Sequence, residues 1–400
     1  MSTSTTRVAI IGAGPAGLTL AKLLTNHSIT PCVFERDISA DFRPQGGTLD
    51  LHEHSGQQAV RDAGLWDEFR KHARYDGQES KLLTKTGKVL MHNPALHEGA
   101  EGSKPEIDRS VLRNMLLESL DPTVVRWDHT LASIQPGDGQ TLDLHFRNGN
   151  VETGFDLVVG ADGTWSRVRP LLTPVVPFYS GSCFVEVVIT HPDGPAYDTI
   201  NKLVGRGSMC ASSDGKALAG QRLGDNAIRV YAMFSTSSDD PGWAERHFGH
   251  GDPSKARADL LAHFGQDWEA ELRELIELAD SEAVPRPLYM FPVGHRWEGR
   301  PGLTLIGDAG HVMTPFSGEG VNMAMWDSLE LAKAIAEGVS KRTLHRRVHE
   351  FKLGMFDRME DAAKRAHMGM NAMLSVDIEA SMKEMLEGMA AEANKPIAMS

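Results

Sequence analysis

The amino-acid sequence predicts an α/β fold in which an antiparallel sheet is inserted into a parallel-sheet domain and a long C-terminal helix follows. A strand, a glycine turn, a helix and a second strand follow one another between Val8 and Glu35. Short alternating runs replace this pattern after Pro174, and a buried strand returns at "GLTLIGDAG". Strand–helix–strand units are typical of parallel sheets, whereas alternation of apolar and polar residues is typical of antiparallel sheets.

The N-terminal unit carries the strongest local signal. An apolar run, Val8 to Ile11, precedes "GAGPAG", which places Gly12, Gly14 and Gly17 in the spacing G-x-G-x-x-G. In this motif the first glycine permits a tight turn, the second lets a pyrophosphate approach the backbone, and the third lets the helix pack closely. Glu35 ends the next strand, where a carboxylate can accept hydrogen bonds from a ribose diol. The unit therefore predicts a Rossmann-like site for the ADP half of NAD or FAD.

Two later motifs favour FAD over NAD. In "GADGTWSRVR" a strand ends at Asp162 and Gly163, and in "LTLIGDAGHVMTPFSGEGVN" Asp308 follows a strand and a helix starts near Val321. FAD is long, so its ribityl chain and its ring need a second anchoring point. Asp308 can accept hydrogen bonds from ribityl hydroxyls, and the helix N-terminus can face the edge of the ring where negative charge gathers on reduction.

The segments between these motifs set the predicted domain boundaries. "SCFVEVVIT", "NKLVGRGSMCAS", "KALAGQRL" and "AIRVYAMFS" are interpreted as strands of the inserted sheet. "PSKARADLLAHFGQDWEAELRELIELA" and "NMAMWDSLELAKAIAEG" are predicted to be helical, the second one ending at Gly338. We therefore predict a cofactor-binding domain over residues 1–172 and 291–340, a substrate domain over 173–290, and a C-terminal bridging helix over 341–400.

Composition excludes several classes of function. The formal net charge of -13 argues against nucleic acid or an anionic membrane surface as a partner. Cys32, Cys183 and Cys210 are widely spaced, which disfavours a disulfide framework or a thiolate zinc site and fits the cytoplasm. The apolar run near the N-terminus is short and interrupted by glycine, so we expect neither a signal peptide nor a membrane span.

The motifs quoted above, with "RPQGGTLDLHEHSGQQAVRDAGL" and "PEIDRSVLRNMLLESL", resemble the class A FAD-dependent monooxygenases over nearly the whole chain. Within that class the sequence is most similar to the tetracycline-inactivating enzymes. The resemblance implies that NADPH or NADH reduces FAD and that O2 is the co-substrate. It implies hydroxylation of an aromatic or enolic polycyclic small molecule through a flavin C4a-hydroperoxide, without a metal. We expect a monomer or weak dimer, and we assign no catalytic residue.

The resemblance also implies roles for individual residues. Glu35 and Arg36 would hold the adenosine, and Arg43 would meet NADPH. In full, the predicted cofactor-binding residues are Gly12, Gly14, Ala16, Gly17, Glu35, Arg36, Arg43, Gly47, Asp50, Arg109, Asp162, Asp308, Pro315, Gly318, Gly320 and Val321. The predicted substrate-binding residues are Glu186, Ser208, Arg229, Phe316 and Gly318. Tetracycline-binding members carry a glutamine, a histidine and an arginine at or near the positions of Glu186, Arg229 and Ser208, so the resemblance supports the chemistry and not tetracycline itself.

Three alternatives compete with this interpretation. His52 and His54 in "HEH" would share one face of a strand and could bind a metal, but no third ligand is apparent nearby. Another flavoenzyme on the same scaffold, a halogenase or a reductase, is a second hypothesis, although the halogenase pattern W-x-W-x-I-P is absent. A non-catalytic protein of the GDP-dissociation-inhibitor type is a third hypothesis, and the intact "PFSGEG" loop counts against it.

Overall fold

A computed structural model describes residues 6–42, 46–236 and 240–393. Its strands, in chain order, are β1 (Val8–Ile11), β2 (Cys32–Phe34), β3 (Thr48–Asp50), β4 (Ser80–Thr84), β5 (Val89–Asn93), β6 (Glu106–Asp108), β7 (Val125–Arg126), β8 (Leu131–Pro136), β9 (Leu142–Phe146), β10 (Val151–Phe155), β11 (Leu157–Gly160), β12 (Phe178–Ile189), β13 (Ser208–Ser213), β14 (Lys216–Arg222), β15 (Ile228–Ser235), β16 (Val284–Met290) and β17 (Leu303–Leu305). Its α-helices are α1 (Pro15–Asn26), α2 (Gln58–Asp62), α3 (Trp66–His72), α4 (Arg109–Glu118), α5 (Asp198–Val204), α6 (Trp243–Phe248), α7 (Pro253–Phe264), α8 (Ala270–Glu277), α9 (Asp308–His311), α10 (Gly320–Ser340), α11 (Leu344–Met373) and α12 (Ile378–Ala393).

The first compact unit is built on a five-stranded parallel sheet with the order β17-β11-β1-β2-β7. Its central strands are apolar, and Ile10, Val33 and Val159 are fully buried in register with one another. Helix α1 contacts β1 and β2, and Phe34 of β2 also packs against Phe146 of a three-stranded antiparallel sheet with the order β10-β9-β8. Helices α1 and α10 pack against each other. The predicted parallel-sheet domain is confirmed.

The second compact unit is built on a seven-stranded sheet with the order β16-β12-β15-β14-β13-β4-β5. Strands β12 to β15 are antiparallel neighbours, as predicted, whereas β4 runs parallel to β13. Alternate residues such as Val185 and Val230 enter a core with Phe264, Trp268 and Leu272. Strand β16 carries two prolines, which cannot donate to a neighbouring strand, and this explains its place at the sheet edge.

The structure revises several of the predicted boundaries. The sequence prediction placed residues 75–100 in the cofactor-binding domain, but they belong to the second unit. "NKLV" forms helix α5, not a strand, and the long predicted helix after Pro253 is two helices, α7 and α8. Helix α10 continues past Gly338 to Ser340. The predicted single C-terminal helix is two helices, α11 and α12, and α11 contributes residues to both units.

Within the described ranges, no helix combines the length and the apolar character that crossing a membrane requires.

Candidate functional site

The predicted cofactor residues follow neighbouring strands of the parallel sheet. Gly12 comes after β1, Glu35 after β2, Asp162 after β11 and Asp308 after β17, and these four strands are adjacent. The carboxyl ends of parallel strands meet at one edge of a sheet, which is where open α/β sheets bind ligands. The fold therefore gathers motifs that are far apart in the sequence.

Three glycines shape the turn after β1, for two different reasons. A Cβ atom at Gly12 would lie 2.4 Å from the Ala161 carbonyl oxygen, and the φ of Gly12 is +109°. A Cβ atom at Gly17 would lie 2.0 Å from the Gly12 carbonyl oxygen. Gly14 is different, because it has an ordinary negative φ and no protein atom lies within 4 Å of the position of its Cβ atom. The packing of the protein explains Gly12 and Gly17, whereas a ligand would explain Gly14.

Gly320 repeats this pattern at the start of α10, where again no atom lies within 4 Å of the Cβ position. Gly14 and Gly320 each stand at the N-terminal end of a long helix, α1 or α10, and neither helix has a side-chain cap. Such ends carry unpaired N–H groups and a partial positive charge, which suit an anionic or electron-rich ligand. The two helices thus offer two matching, unobstructed binding positions.

The side chain of Glu35 is hydrogen-bonded to the backbone of the glycine turn. Its side chain is buried, with Oε2 accepting from Ala13 N at 2.6 Å and Oε1 accepting from Asp37 N at 3.0 Å. Arg113, which the sequence analysis missed, is also buried and donates to the Ala13 carbonyl at 3.2 Å. Arg36 is exposed. The carboxylate of Glu35 is therefore fixed in place by the backbone before any ligand binds.

The "GADG" loop contains a buried acceptor without a donor. Asp162 Oδ2 accepts from Arg167 N at 2.7 Å, while Oδ1 is buried without a hydrogen-bond partner among the described residues. Burial raises the pKa of Asp162. Arg169, another residue that sequence reasoning missed, donates to the carbonyls of Thr164 at 2.8 Å and Ala309 at 3.2 Å. Because buried polar atoms are normally paired, Asp162 Oδ1 fits a site completed by a ligand.

A buried ionic group holds the loop that bears Asp308. Asp327 Oδ2 accepts from Gly307 N at 3.2 Å and contacts His311 Nε2 at 2.5 Å, while Oδ1 lies 3.4 Å from Arg358. Burial acts to lower the pKa of His311, but the charge and hydrogen bond of Asp327, together with the charge of Asp308, raise it overall. Asp308 itself is exposed and has no hydrogen-bond partner in the described part of the chain. Its carboxylate is therefore available to a ligand.

Asn322, in the first turn of α10, fixes the segment after β3. Its Nδ2 donates to the Asp50 carbonyl at 2.8 Å, and its Oδ1 accepts from His52 N at 2.8 Å. Gly56 has to be glycine, since a Cβ there would lie 2.6 Å from Asn322 Oδ1. This contact brings Asp50 beside Gly318, whose φ is +67° and whose Cβ position lies 3.4 Å from Asp50 Oδ1.

The "HEH" segment is not the strand that the sequence suggested. Strand β3 ends at Asp50, and Glu53–Gln57 forms a single π-helical turn. His52 Nε2 lies 3.0 Å from Asp50 Oδ2, which ties this histidine to a predicted cofactor residue. The described residues contain no group of three His, Cys, Asp or Glu side chains placed to hold a metal ion.

Strands β3 and β6 form a ribbon with acidic side chains on one face. On this face Thr48 pairs with Asp108, and Asp50 pairs with Glu106. Thr48 Oγ1 donates to Glu106 Oε2 at 2.6 Å, and Arg74 bonds Thr48 and Asp108, each at 2.9 Å. Burial, together with the charges of Asp50 and Asp108, raises the pKa of Glu106 to about 7. A group that titrates near neutrality thus lies next to Asp50.

The remaining predicted residues lie around these loops. The Gly47 carbonyl accepts from Arg109 N at 2.9 Å, and the side chain of Arg109 is exposed. Ala16 is buried, Pro315 is exposed, and Phe316 and Val321 are half-buried. Arg43 lies outside the described residues, so its predicted contact with NADPH stays a prediction.

The other predicted substrate residues share one face of the sheet in the second unit. Ser208 pairs with Gln221, and Gln221 pairs with Arg229. Glu186 Oε1 lies 2.5 Å from Arg229 Nη1, and Glu186 Oε2 lies 3.0 Å from Nε of Arg286, a residue that the sequence analysis missed. Phe316 and Gly318 belong to the first unit.

A groove of about 520 Å³ in the first unit does not coincide with these residues. It is lined by polar side chains that include His52, Glu319 and Arg365, and the last two form a bidentate ion pair. None of its lining residues is a predicted cofactor or substrate residue.

Comparisons with known proteins identify related sequences. A family model described as an FAD binding domain matches residues 5–361. Monooxygenase penA of Penicillium thymicola is 34% identical over 376 residues, which cover 83% of this chain and 85% of that protein.

Solved structures share the fold at low identity. Klebsiella pneumoniae HpxO, complexed with FAD and uric acid, has a TM-score of 0.78 and 19% identity, covering 96% of this chain and 92% of that chain. The tetracycline destructase Tet(55) has a TM-score of 0.71 and 19% identity, covering 100% of both chains. At such identities the likeness shows the fold.

Replacing Gly14 should separate ligand binding from folding. We expect Gly14→Ala to change the free energy of unfolding of the apoprotein by less than about 1 kcal/mol, since its Cβ meets open space. Its affinity for FAD should fall by about tenfold or more, because the motif predicts that the pyrophosphate lies where the methyl group would be. The matched variant Gly17→Ala should lose about 1–3 kcal/mol of stability through overpacking. Urea unfolding and FAD fluorescence titration measure both, and undiminished FAD binding by Gly14→Ala would contradict the assignment.

Glu106 should make stability depend on pH. Its pKa rises from 4.5 in the unfolded chain to about 7 in the folded protein, so its stabilising contribution is complete below the lower value and is lost as pH rises through the higher one. We expect the free energy of unfolding of Glu106→Gln, relative to the parent, to increase by about 3 kcal/mol across this window. Urea unfolding over a pH series measures it, with exposed Glu101→Gln as the control. Parallel profiles would show that Glu106 keeps an ordinary pKa.

Proposed function

This chain belongs to the FAD binding domain family, and from that premise we propose that NADPH or NADH drives it to hydroxylate an aromatic or enolic polycyclic small molecule, with O2 as the co-substrate. Its curated relatives are named monooxygenases, and the chain is an FAD-dependent monooxygenase. The source of the hydride, the use of O2 and the class of substrate are the parts that we propose.

The observation that carries the proposal is the pair of open glycine positions, Gly14 and Gly320, at two uncapped helix ends. We propose that the end of α1 receives the pyrophosphate, that Glu35 accepts from the ribose and that Asp308 accepts from the ribityl chain. The end of α10 would then face the electron-rich edge of the ring. Bound FAD supplies the hydride acceptance and oxygen activation that side chains lack.

The protein's own residues contribute position and rigidity. Asn322 and Asp327, both buried in α10, hold the segments of Asp50 and Asp308 through hydrogen bonds to backbone groups. Groups fixed before the reaction need no reorganisation during it, which favours the aimed transfer of an oxygen atom. No side chain is assigned as a catalytic base, because the described site contains none whose geometry identifies it as one.

The substrate is proposed only by class. HpxO is described in complex with uric acid, and PqsL of Pseudomonas aeruginosa in complex with 2-aminobenzoylacetate, both small ring compounds. The likeness to Tet(55) supports the scaffold, while Glu186 and Arg229 differ from the residues expected of a tetracycline binder. Tetracyclines are therefore only one of the compound classes to be tested as substrates.

A substrate screen tests the proposed function. The FAD-loaded protein should oxidise NADPH or NADH faster in the presence of a tetracycline, phenol, quinolone or anthraquinone, with matching consumption of O2. The product should carry an oxygen atom from labelled O2. Protein that stays colourless after addition of FAD would contradict any flavoenzyme, and a halide-dependent product would indicate the halogenase alternative.

Asp308 provides a site-specific test. We expect Asp308→Ala to weaken FAD binding by about tenfold, since it removes charge-assisted hydrogen bonds to the ribityl chain. Exposed Asp67→Ala, in α3, should leave the affinity unchanged and serves as the control. Flavin occupancy after gel filtration and fluorescence titration measure the effect. Equal occupancy in both variants would refute the role of Asp308.

A further inference from the structure

Helix α11 holds both ends of the loop that leads into α10. Thr314 Oγ1, near the start of this loop, is buried and donates to the Ala366 carbonyl at 3.2 Å. At the other end, the Glu319 carboxylate accepts from Arg365 Nε at 2.9 Å and from Arg365 Nη2 at 2.7 Å. Two consecutive residues of α11 therefore anchor residues 314–319, and all of these residues belong to the first unit.

Glu319 occupies the N-cap position of α10 but does not cap the helix. A side chain at this position commonly accepts from the N–H groups of the first turn, and a negative charge there is stabilised by the helix dipole. In this structure the start of α10 has no side-chain cap, and both oxygens of Glu319 accept from Arg365 instead. The N-terminal end of α10 therefore lacks the partner that its own sequence supplies.

Two further features indicate that a ligand completes this helix end. Gly320 follows Glu319 directly, and no atom lies within 4 Å of the position of its Cβ atom. Ser317 Oγ, in the same loop, is buried without a hydrogen-bond partner among the described residues. Since buried polar atoms are normally paired, the loop and the helix end fit a site that bound FAD would complete.

The position of the ion pair explains it better than stability does. The side chains of Glu319 and Arg365 are 14% and 54% exposed, and ion pairs that water reaches contribute little to stability. Other hydrogen bonds fix the loop and the helix end independently, since Thr314 bonds to α11 and Asn322 donates to the Asp50 carbonyl. The fold is therefore expected to survive the loss of either partner.

The charges at this helix end affect the reduction of FAD. The partial positive charge at the N-terminus of α10 stabilises the negative charge that the ring gains on reduction. A free Glu319 carboxylate would oppose this effect, and it could also cap the helix and compete with the ring for the same N–H groups. The bidentate bonds from Arg365 neutralise the carboxylate and hold it in a different contact.

We propose that Arg365 is a positioning residue of the FAD site, which withholds Glu319 from the N-terminus of α10 and so keeps that helix end open and electropositive. Glu319 is then an internal competitor of the ring, and Arg365 is the group that keeps it engaged elsewhere. This inference rests on the proposed function, since it takes the end of α10 as the position that faces the ring.

The test measures the reduction potential of bound FAD by spectroelectrochemical titration and the affinity for FAD by fluorescence titration. Arg365→Gln frees the carboxylate, so the equilibrium should shift towards oxidised FAD by about fivefold to tenfold, which is about 20–30 mV for a two-electron couple. Its affinity for FAD should fall by about threefold to tenfold. Glu319→Gln should shift the equilibrium towards reduced FAD. Arg296→Gln, which removes an exposed arginine paired with Asp357 and Glu360 of α11, should leave the potential unchanged.

The double variant Glu319→Gln/Arg365→Gln separates this role from a structural one. It has no carboxylate to withhold, so we expect the potential and the FAD affinity of the parent to return. A structural ion pair predicts instead that the double variant is at least as impaired as Arg365→Gln. That result, or unchanged potentials in both single variants, overturns the inference. If Arg365→Gln does not fold, Glu319→Gln decides, since a raised potential supports the inference and an unchanged potential overturns it.

Failure of the proposed function gives a different result. The predicted shifts in potential, without substrate-dependent oxidation of NADPH or NADH by any panel member, would support the inference and refute the proposed function. Substrate-dependent oxidation without the shifts would do the reverse. A parent protein that binds no FAD overturns both.

Discussion

The close approach of β1 and β11 at their carboxyl ends is the constraint on which the rest of the site depends. The backbone pairing continues past the strands, with Ala161 N bonded to Ile11 O at 2.8 Å. A Cβ atom at Gly12 would collide with the Ala161 carbonyl, so this spacing requires glycine. Ile306 N bonds to Gly160 O in the same way, which brings the end of β17 alongside. Three loops that are distant in sequence thereby leave the sheet from neighbouring positions.

Buried polar side chains then fix those loops. Glu35 holds the glycine turn, Arg169 links two loops, Asp327 anchors a third, and Asn322 positions Asp50. Each acts through backbone groups, and leaving a buried backbone donor or acceptor without its partner commonly costs about 1–3 kcal/mol. These buried polar side chains therefore take positions that apolar side chains could fill. Their hydrogen bonds hold the loops in place within the protein itself.

In the second unit, the two-residue period of a β-strand separates a packing face from a polar face. One face of its sheet is apolar and packs against helices, while the other carries aromatic rings and Glu186 paired with Arg229 and Arg286. Since a shift of register by one residue would exchange the two faces, the apolar core fixes which side chains lie on the polar face. Stability of the sheet and presentation of Arg229 are thus determined by the same alternation.

The sequence by itself determined the features that depend on local pattern. These are the G-x-G-x-x-G turn with Glu35, the buried strands that precede Asp162 and Asp308, and the alternating strands β12 to β15. Only the tertiary structure decided the place of residues 75–100 and the roles of Asn322, Arg169, Glu106 and Arg286, because each acts on partners far away in the chain. An asparagine in a helix or an arginine in an edge strand has no periodic signature. Its function exists only once folding brings a backbone carbonyl or a carboxylate within hydrogen-bond distance.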